Sequence, residues 1–242
     1  MKDKNKMVPT GFFDVVKHTT YDNGLLRWLF RCIFPVTLVL LVSLVALADT
    51  LEVSHFTTDG LTGWERKVFK GETEYTVVKD GETSVIKAHS SSAASGYFKK
   101  MQLDPLQYRY LHWKWKVMEP LKNTVEKSKA GDDYAARVYV VFPGFFFWQS
   151  KAINYVWGSH IKKEEHFLSP FTSSVMVVAV ESGMDNAGAW VTEQRDVLAD
   201  YRKFFGGEPR KIGAVAFMTD TDNTGGSATA WYGEFAISTT RQ

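Results

Sequence analysis

The chain is short of cysteine, of clustered histidine and of charge of one sign, and each shortage removes a class of chemistry. Its 242 residues hold a single cysteine, Cys32, inside an apolar N-terminal run. Beyond residue 48 there is no thiol, which excludes a disulfide scaffold, a cysteine-based zinc site and a cysteine nucleophile. The histidines after that point, His55, His89, His112, His160 and His166, are scattered. His-Glu-x-x-His, Gly-x-Ser-x-Gly and the Gly-rich phosphate loop are all absent, so no zinc-protease, esterase or nucleotide-binding motif is present. The whole chain carries 29 basic and 27 acidic side chains; without the six basic and three acidic residues ahead of Asp49, 23 face 24. That balance leaves no basic footprint for nucleic acid. Neither an internal repeat nor a low-complexity block follows Asp49.

The longest uncharged stretch is residues 32–48, from Cys32 to Ala48, which follows closely on Arg27 and Arg31. A basic flank, an apolar core and the small-x-small site Ala46-Leu47-Ala48 are the three parts of a secretory signal. Residues 1–48 therefore read as a signal peptide cut after Ala48. The alternative is an uncleaved anchor, because roughly 17 apolar residues sit at the short end of what spans a bilayer. The flank is long for a signal, and Met7 offers a second start. Both readings send the rest of the chain out of the cytoplasm: periplasmic or secreted, or held at the inner membrane through residues 32–48.

Residues 49–242 are long enough for one full-sized core, and their patterning is β throughout. Glu74–Lys79 and Thr83–Ala88 are β-rich runs joined by Asp80-Gly81, a strong hairpin signal. Leu111, Trp113, Trp115 and Val117 alternate with His112, Lys114 and Lys116, as a strand with one buried face requires. The polar, Pro- and Gly-bearing stretch 120–134 is a surface loop. A strand is expected over 135–142, with Ala136, Val138, Val140 and Phe142 on one face and Arg137, Tyr139 and Val141 on the other. Further strands are expected at 152–158, 174–181, 189–194, 212–219 and 228–237. Val197, Tyr201, Phe204 and Phe205 recur at helical spacing behind Asp196 as N-cap, and Gly206-Gly207 ends that helix. The expected fold is all-β: a single jelly-roll-like β-sandwich with one short helix in the C-terminal third.

Four places offer chemistry. In Asp220-Thr-Asp222-Asn223-Thr-Gly225-Gly226, closely spaced oxygens on a Gly-relieved turn suit calcium through Asp220, Asp222 and Asn223. The spacing is not an EF-hand, since its twelfth position is Trp231, and a turn whose Asp and Asn cap their own backbone fits equally. No other cofactor is called for. Asp132-Asp133 with Arg137 and Tyr139 places a carboxylate, a guanidinium fork and a flat ring on one strand face, unless Asp and Arg simply pair with each other. Glu193 and Arg195 follow Trp190, with Arg195 freer for a ligand than the capping Asp196. Finally, seven Trp follow the leader, among them Trp157 and Trp148. The run Phe145-Phe-Phe-Trp148 is a sugar-stacking platform, a lipid-inserting tip or a partner surface if exposed, and core if folded back.

The order of Gly63-Trp64, Trp113-Lys-Trp115, Asp132-Asp133-Tyr-Ala-Ala-Arg137-Val-Tyr139, Trp190, Arg195-Asp196-Val, Asp200-Tyr201, Phe205-Gly206 and Met218-Thr-Asp220-Thr-Asp222-Asn223-Thr resembles a proteobacterial exported domain of unknown function, DUF3047. The resemblance spans nearly all of residues 49–242 and implies export and a single domain, without an assigned activity. It draws attention to Asp133, Arg137, Arg195, Asp200, Asp220, Asp222 and Asn223 as residues expected to converge on one site. The expected function is binding of a carbohydrate-like envelope ligand through aromatic rings and Asp/Arg hydrogen bonds, with Tyr139 and Trp157 as ring surfaces. Two alternatives stand beside it: a polysaccharide hydrolase or lyase with an Asp acid/base supported by Arg137 or Arg195, and an interaction module that docks a protein or the membrane through Phe145–Trp148.

Overall fold

The computed structural model describes residues 49–122 and 125–242, and the expected leader lies outside them. Among the described residues, no helix is long and apolar enough to cross a membrane. Ala48–Gln242 form one compact unit. Along it run β1 (Thr50–Glu52), β2 (Glu65–Lys70), β3 (Glu74–Asp80), β4 (Thr83–Ser91), β5 (Ala94–Leu103), β6 (Tyr110–Val117), β7 (Arg137–Phe142), β8 (Lys151–Gly158), β9 (His166–Ser169), β10 (Thr172–Ser182), β11 (Val191–Asp196), α1 (Val197–Phe205), β12 (Ile212–Asp220) and β13 (Ser227–Ser238). They make two sheets packed as a sandwich. One has the order β11-β6-β13-β4-β3, with β1 also on β13; the other has the order β2-β5-β12-β7-β8-β10-β9.

The patterned segments fold as their periodicity demands. In β6, Leu111, Trp113, Trp115 and Val117 are buried and the residues between them are half-buried. The Asp80-Gly81 turn joins β3 and β4, with Gly81 at φ 62°, a conformation that favours glycine. Val138, Val140 and Phe142 of β7 enter the inter-sheet core, with Ile153, Tyr155 and Trp157 of β8 beside them. Neighbouring residues of a strand point to opposite faces, so Arg137, Tyr139 and Val141 lie on the outer face of the seven-stranded sheet. Strand β10 is buried on both faces, because Val177 and Ala179 are covered outside by Tyr134, Ile161 and Phe167 while Val178 and Val180 face the core. With β8 it forms the one parallel pair among the described strands, β9 supplying the antiparallel return between them. The continuous Val-Met-Val-Val-Ala-Val run is what such two-sided burial selects.

Helix α1 starts where expected: the Asp196 carboxylate accepts the Ala199 N–H at 3.0 Å, and Gly206 at φ 71° closes it. Its Tyr201 ring packs 4.8 Å from Phe142. Two boundaries differ from the periodicity. Strand β7 begins at Arg137, not at 135, because Ala135 and Ala136 are held by other contacts: Thr219 donates its hydroxyl to the Ala135 carbonyl and Trp157 its backbone N–H to that of Ala136. The strand expected at 189–194 lies at Val191–Asp196. Strands β1, β2, β5 and β9 carried no readable alternation. Every residue of β2 is exposed, as an edge strand tolerates, and β5 starts with Ala-Ser-Gly because a Cβ on Gly96 would lie 2.7 Å from the Phe217 carbonyl oxygen.

Phe217 is the hub of the core. Six rings, those of Phe56, Trp64, Tyr75, Tyr97, Tyr232 and Phe235, have centroids 4.8–6.2 Å from its own, contributed by both sheets and by the 53–64 segment. Phe217→Ala is expected to cost about 3–5 kcal/mol through the cavity it leaves. Urea unfolding of residues 49–242 checks this as a lowered midpoint with an unchanged slope.

Candidate functional site

A cavity of about 700 Å³ forms a trough on the outer face of the seven-stranded sheet. Its floor follows from the strand register. Phe98, Ala216, Tyr139 and Asn154 form one row across β5, β12, β7 and β8, and Gly96, Met218 and Arg137 form the next. Gly96 and Ala216 keep the floor low between larger neighbours. The walls stand at the two edges of the sheet: Phe69 in β2, 65% exposed, and Phe171 in the β9–β10 turn, 55% exposed. Asn154 is buried in the lining, and its Oδ1 has no hydrogen-bond partner. A buried amide oxygen without a donor is costly.

Polar groups gather at the end where β7 begins and β12 ends. Arg137 is buried and occupied on every side. Its Nε donates to Asp220 Oδ1 at 2.7 Å, and its Nη2 pairs with Asp220 Oδ2 and with the Asp132 carbonyl. Its Nη1 donates to Asp132 Oδ1 at 3.3 Å and to the Tyr139 hydroxyl at 3.1 Å. The Tyr134 ring lies 4.6 Å from the guanidinium. Burial pushes the Asp220 carboxyl up to about 7 against the pull of Arg137, and burial likewise lifts the Tyr139 phenol to about 12. Asp133 turns away from Arg137. Its Oδ1 accepts from the Asn223 N–H at 3.2 Å and Nδ2 at 3.1 Å, and its Oδ2 accepts from the Thr224 N–H at 2.6 Å and hydroxyl at 2.7 Å. All four acceptor positions are thereby filled, and the 220–226 turn is fastened to the 132–134 loop.

Oxygens of Asp133, Asp220 and Asp222 lie within 4.8 Å of one another. Two of the expected cation ligands, Asp220 and Asp222, belong to that cluster, with Asp133 in place of Asn223. The Asn223 amide instead donates to Asp133 and to Asp222. A cation here would share Asp220 with Arg137 and Asp133 with the turn's own donors.

The expected site residues thus divide. Arg137, Tyr139, Asp220, Asp222 and Asn223 line the trough, and Asp133 braces it from behind. Trp157 is 1% exposed, packs 5.9 Å from Trp115 and donates its indole N–H to the Gly183 carbonyl. It is core, because position 157 falls on the inner face of β8. Arg195 and Asp200 also lie on the inner side, at the edge between the sheets. Arg195 donates to Asp200 twice at 3.0 Å and to Glu164 at 2.7 Å, and the Tyr155 hydroxyl donates to Asp200 at 2.7 Å. Residues 154 and 155 point to opposite faces, so this ion pair and the trough are separate. Trp190 lies on a third surface, the outer face of the six-stranded sheet, where its indole N–H reaches Asp80 at 2.6 Å and Lys116 stands 5.0 Å from its ring. Phe69, Phe98, Asn154 and Phe171 escaped the sequence reading. Only the half-alternation of β8 could have flagged Asn154 as the one polar side chain amid buried neighbours.

Between the sheets, Glu193 stands opposite Trp113 in the β11–β6 register, with one carboxyl oxygen unpartnered. Burial, and then the like charge of Glu181, push it up to about 7. A carboxyl whose folded value exceeds its unfolded one binds more protons folded than unfolded, so its contribution falls as pH rises between the two. Glu193 is therefore expected to contribute a stability loss on the order of 2 kcal/mol from pH 5 to pH 8, beside that of Asp220, and Glu193→Gln to remove its share. Chemical denaturation at both pH values measures it. Asp133→Asn, which turns donors toward donors, is expected to cost about 2 kcal/mol and to speed hydrogen exchange of the Asn223 and Thr224 amides.

Among curated proteins, none matches the chain. Solved structures of similar shape include a family 30 carbohydrate-binding module from Clostridium thermocellum (10% identity, 80% of this chain and 99% of that one, TM-score 0.46). A family 11 module from the same organism, in complex with a mixed-linked tetrasaccharide, is another (8%, 78% and 94%, TM-score 0.42). A third is the xyloglucanase domain of the effector NopAA from Sinorhizobium fredii, in complex with cellobiose (9%, 73% and 93%, TM-score 0.44). Likeness at this level carries no functional argument. The family model described as a protein of unknown function (DUF3047) matches residues 62–236, and the chain belongs to that family.

Proposed function

We propose that the protein binds a carbohydrate-like ligand of the cell envelope in the trough of the seven-stranded sheet. The observation that carries this reading is the combination found there: exposed Phe69 and Phe171 as walls over a low floor. A pyranose has apolar C–H faces ringed by hydroxyls, so it matches flat aromatic walls with a few polar groups between them. The trough's volume lies in the range of small-ligand sites, which run from about 300 to 1,000 Å³. Asn223 and Asp222 at the rim supply further polar groups for hydroxyls. Binding is favoured over turnover by the state of the acidic groups: Asp133 spends its acceptors on the turn and Asp220 is gripped by Arg137. Export through residues 1–48 places such a binder among envelope glycans.

The test is calorimetric titration of residues 49–242 with a panel of envelope oligosaccharides, with mass spectrometry of each mixture. A saturable heat with intact sugar is expected. Phe69→Ala and Phe171→Ala should each weaken the affinity roughly five- to tenfold, the worth of one aromatic contact, with melting temperature unchanged because both rings are exposed. No glycan binding, or binding indifferent to both substitutions, would overturn the proposal.

A further inference from the structure

The loop between β7 and β8 presents an aromatic cluster to solvent that the trough does not use. Phe145 is 72% exposed and Trp148 62%, with Phe146 between them also exposed. Phe146 and Trp148 stack at 4.6 Å with their planes 6° apart, and Phe145 meets Phe146 edge-on at 4.8 Å. The backbone beneath is fixed. Phe146 N–H donates to Gln149 Oε1 at 3.1 Å, Gln149 N–H to the Phe146 carbonyl at 3.0 Å, and a Cβ on Gly144 would lie 2.4 Å from that of Gln149. The rings are thus displayed by a shaped turn, outside any core.

The surroundings are cationic. The Arg210 guanidinium lies 5.4 Å from the Phe145 ring, and Lys211 lines the same shallow cleft. Lys151 and Lys203 lie over the Phe205 and Phe204 rings of α1 at 5.5 and 5.1 Å. Of the acids at this end, Asp196 is paired with Arg109 and Glu208 with Arg202, while Asp104 and Asp49 keep their charge and accept from the Leu106 N–H and the Tyr108 hydroxyl. Leu106 itself is exposed. Aromatic rings with unneutralised Lys and Arg around them are the composition of a surface that meets anionic lipid headgroups.

Under the anchor reading of residues 32–48, topology adds a second argument. Strand β7 leaves toward this tip at Phe142 and β12 enters from it at Ile212, so β13, which returns from the 220–226 turn, ends here at Ser238. Thr50 pairs with Ser238, and the Asp49 carbonyl accepts the Thr239 N–H at 3.0 Å. Asp49, which the uncharged run 32–48 directly precedes in sequence, therefore emerges at the same end of the sandwich as the aromatic tip. The trough's Arg137 and Asp220 lie at the opposite end of β7 and β12.

We propose that this end of the domain docks on an anionic lipid bilayer, with Phe145, Phe146 and Trp148 entering the headgroup region and Arg210 and Lys211 facing the lipid phosphates. Docked in this way, the domain keeps the polar end of its trough directed away from the membrane.

The test uses residues 49–242, which contain the whole core, so that the 32–48 run contributes nothing. The protein is sedimented with phosphatidylcholine vesicles, with or without on the order of 30 mol% phosphatidylglycerol. Expected are association with the anionic vesicles only, a blue shift of tryptophan emission, and weakening by salt. Phe146→Ser with Trp148→Ser, and separately Arg210→Glu with Lys211→Glu, should each lower partitioning about tenfold, with circular dichroism and melting temperature retained. Failure to associate with either vesicle, which a tip that docks on a protein would give, overturns the proposal. So does association that survives the Phe146/Trp148 double substitution.

Discussion

The desolvated guanidinium of Arg137 is the constraint on which the polar end of the sandwich depends. A buried charge is tolerable only with partners in good geometry, and removing one partner costs about 3–5 kcal/mol. Asp220 answers it with both carboxylate oxygens, Asp132 with a carboxylate and a carbonyl, and Tyr139 with its hydroxyl. Those partners come from the end of β12, the loop before β7, and β7 itself. Satisfying one side chain therefore fixes three pieces of backbone relative to one another. Asp133, beside Asp132, faces the other way and fastens the 223–224 backbone. The Asp132-Asp133 pair thus divides the work: one carboxylate serves the cation and the other the turn, and the rim of the trough becomes rigid before any ligand arrives.

Much of this arrangement was legible in the residues. The alternation in Leu111–Val117 set the inner face of β6, the Asp80-Gly81 dipeptide set a hairpin, and Asp196 with Gly206 bracketed the helix. The partition of 136–142 into an apolar and a polar face correctly put Arg137 and Tyr139 outside the core. The convergence of Arg195 and Asp200 with that group did not follow, because the sequence does not say which sheet a strand joins: β11 pairs with β6 in the other sheet, and its Arg195 turns inward. The trough's walls were illegible for a different reason. Phe69 sits in an edge strand with no buried face, and Phe171 in a turn, so neither belongs to a period that marks a surface.

The polar end of the trough and the aromatic tip, the two proposed contact surfaces, lie at opposite ends of strands β7 and β12. Strands β7 and β12 run from the Arg137–Asp220 pair to the aromatic tip, with the Phe217 cluster between them holding both sheets together. A domain built in this way can rest on a membrane by one end and present an open, polar-ended trough at the other, with no moving part required for either task.

A crystal structure of residues 49–242 with the tightest-binding oligosaccharide tests the central claim most directly. An oligosaccharide lying along the trough is expected, with sugar rings stacked on Phe69 and on Phe171. A sugar seated instead on the opposite sheet, against Trp190 and Trp231, with the trough left to solvent, would contradict it.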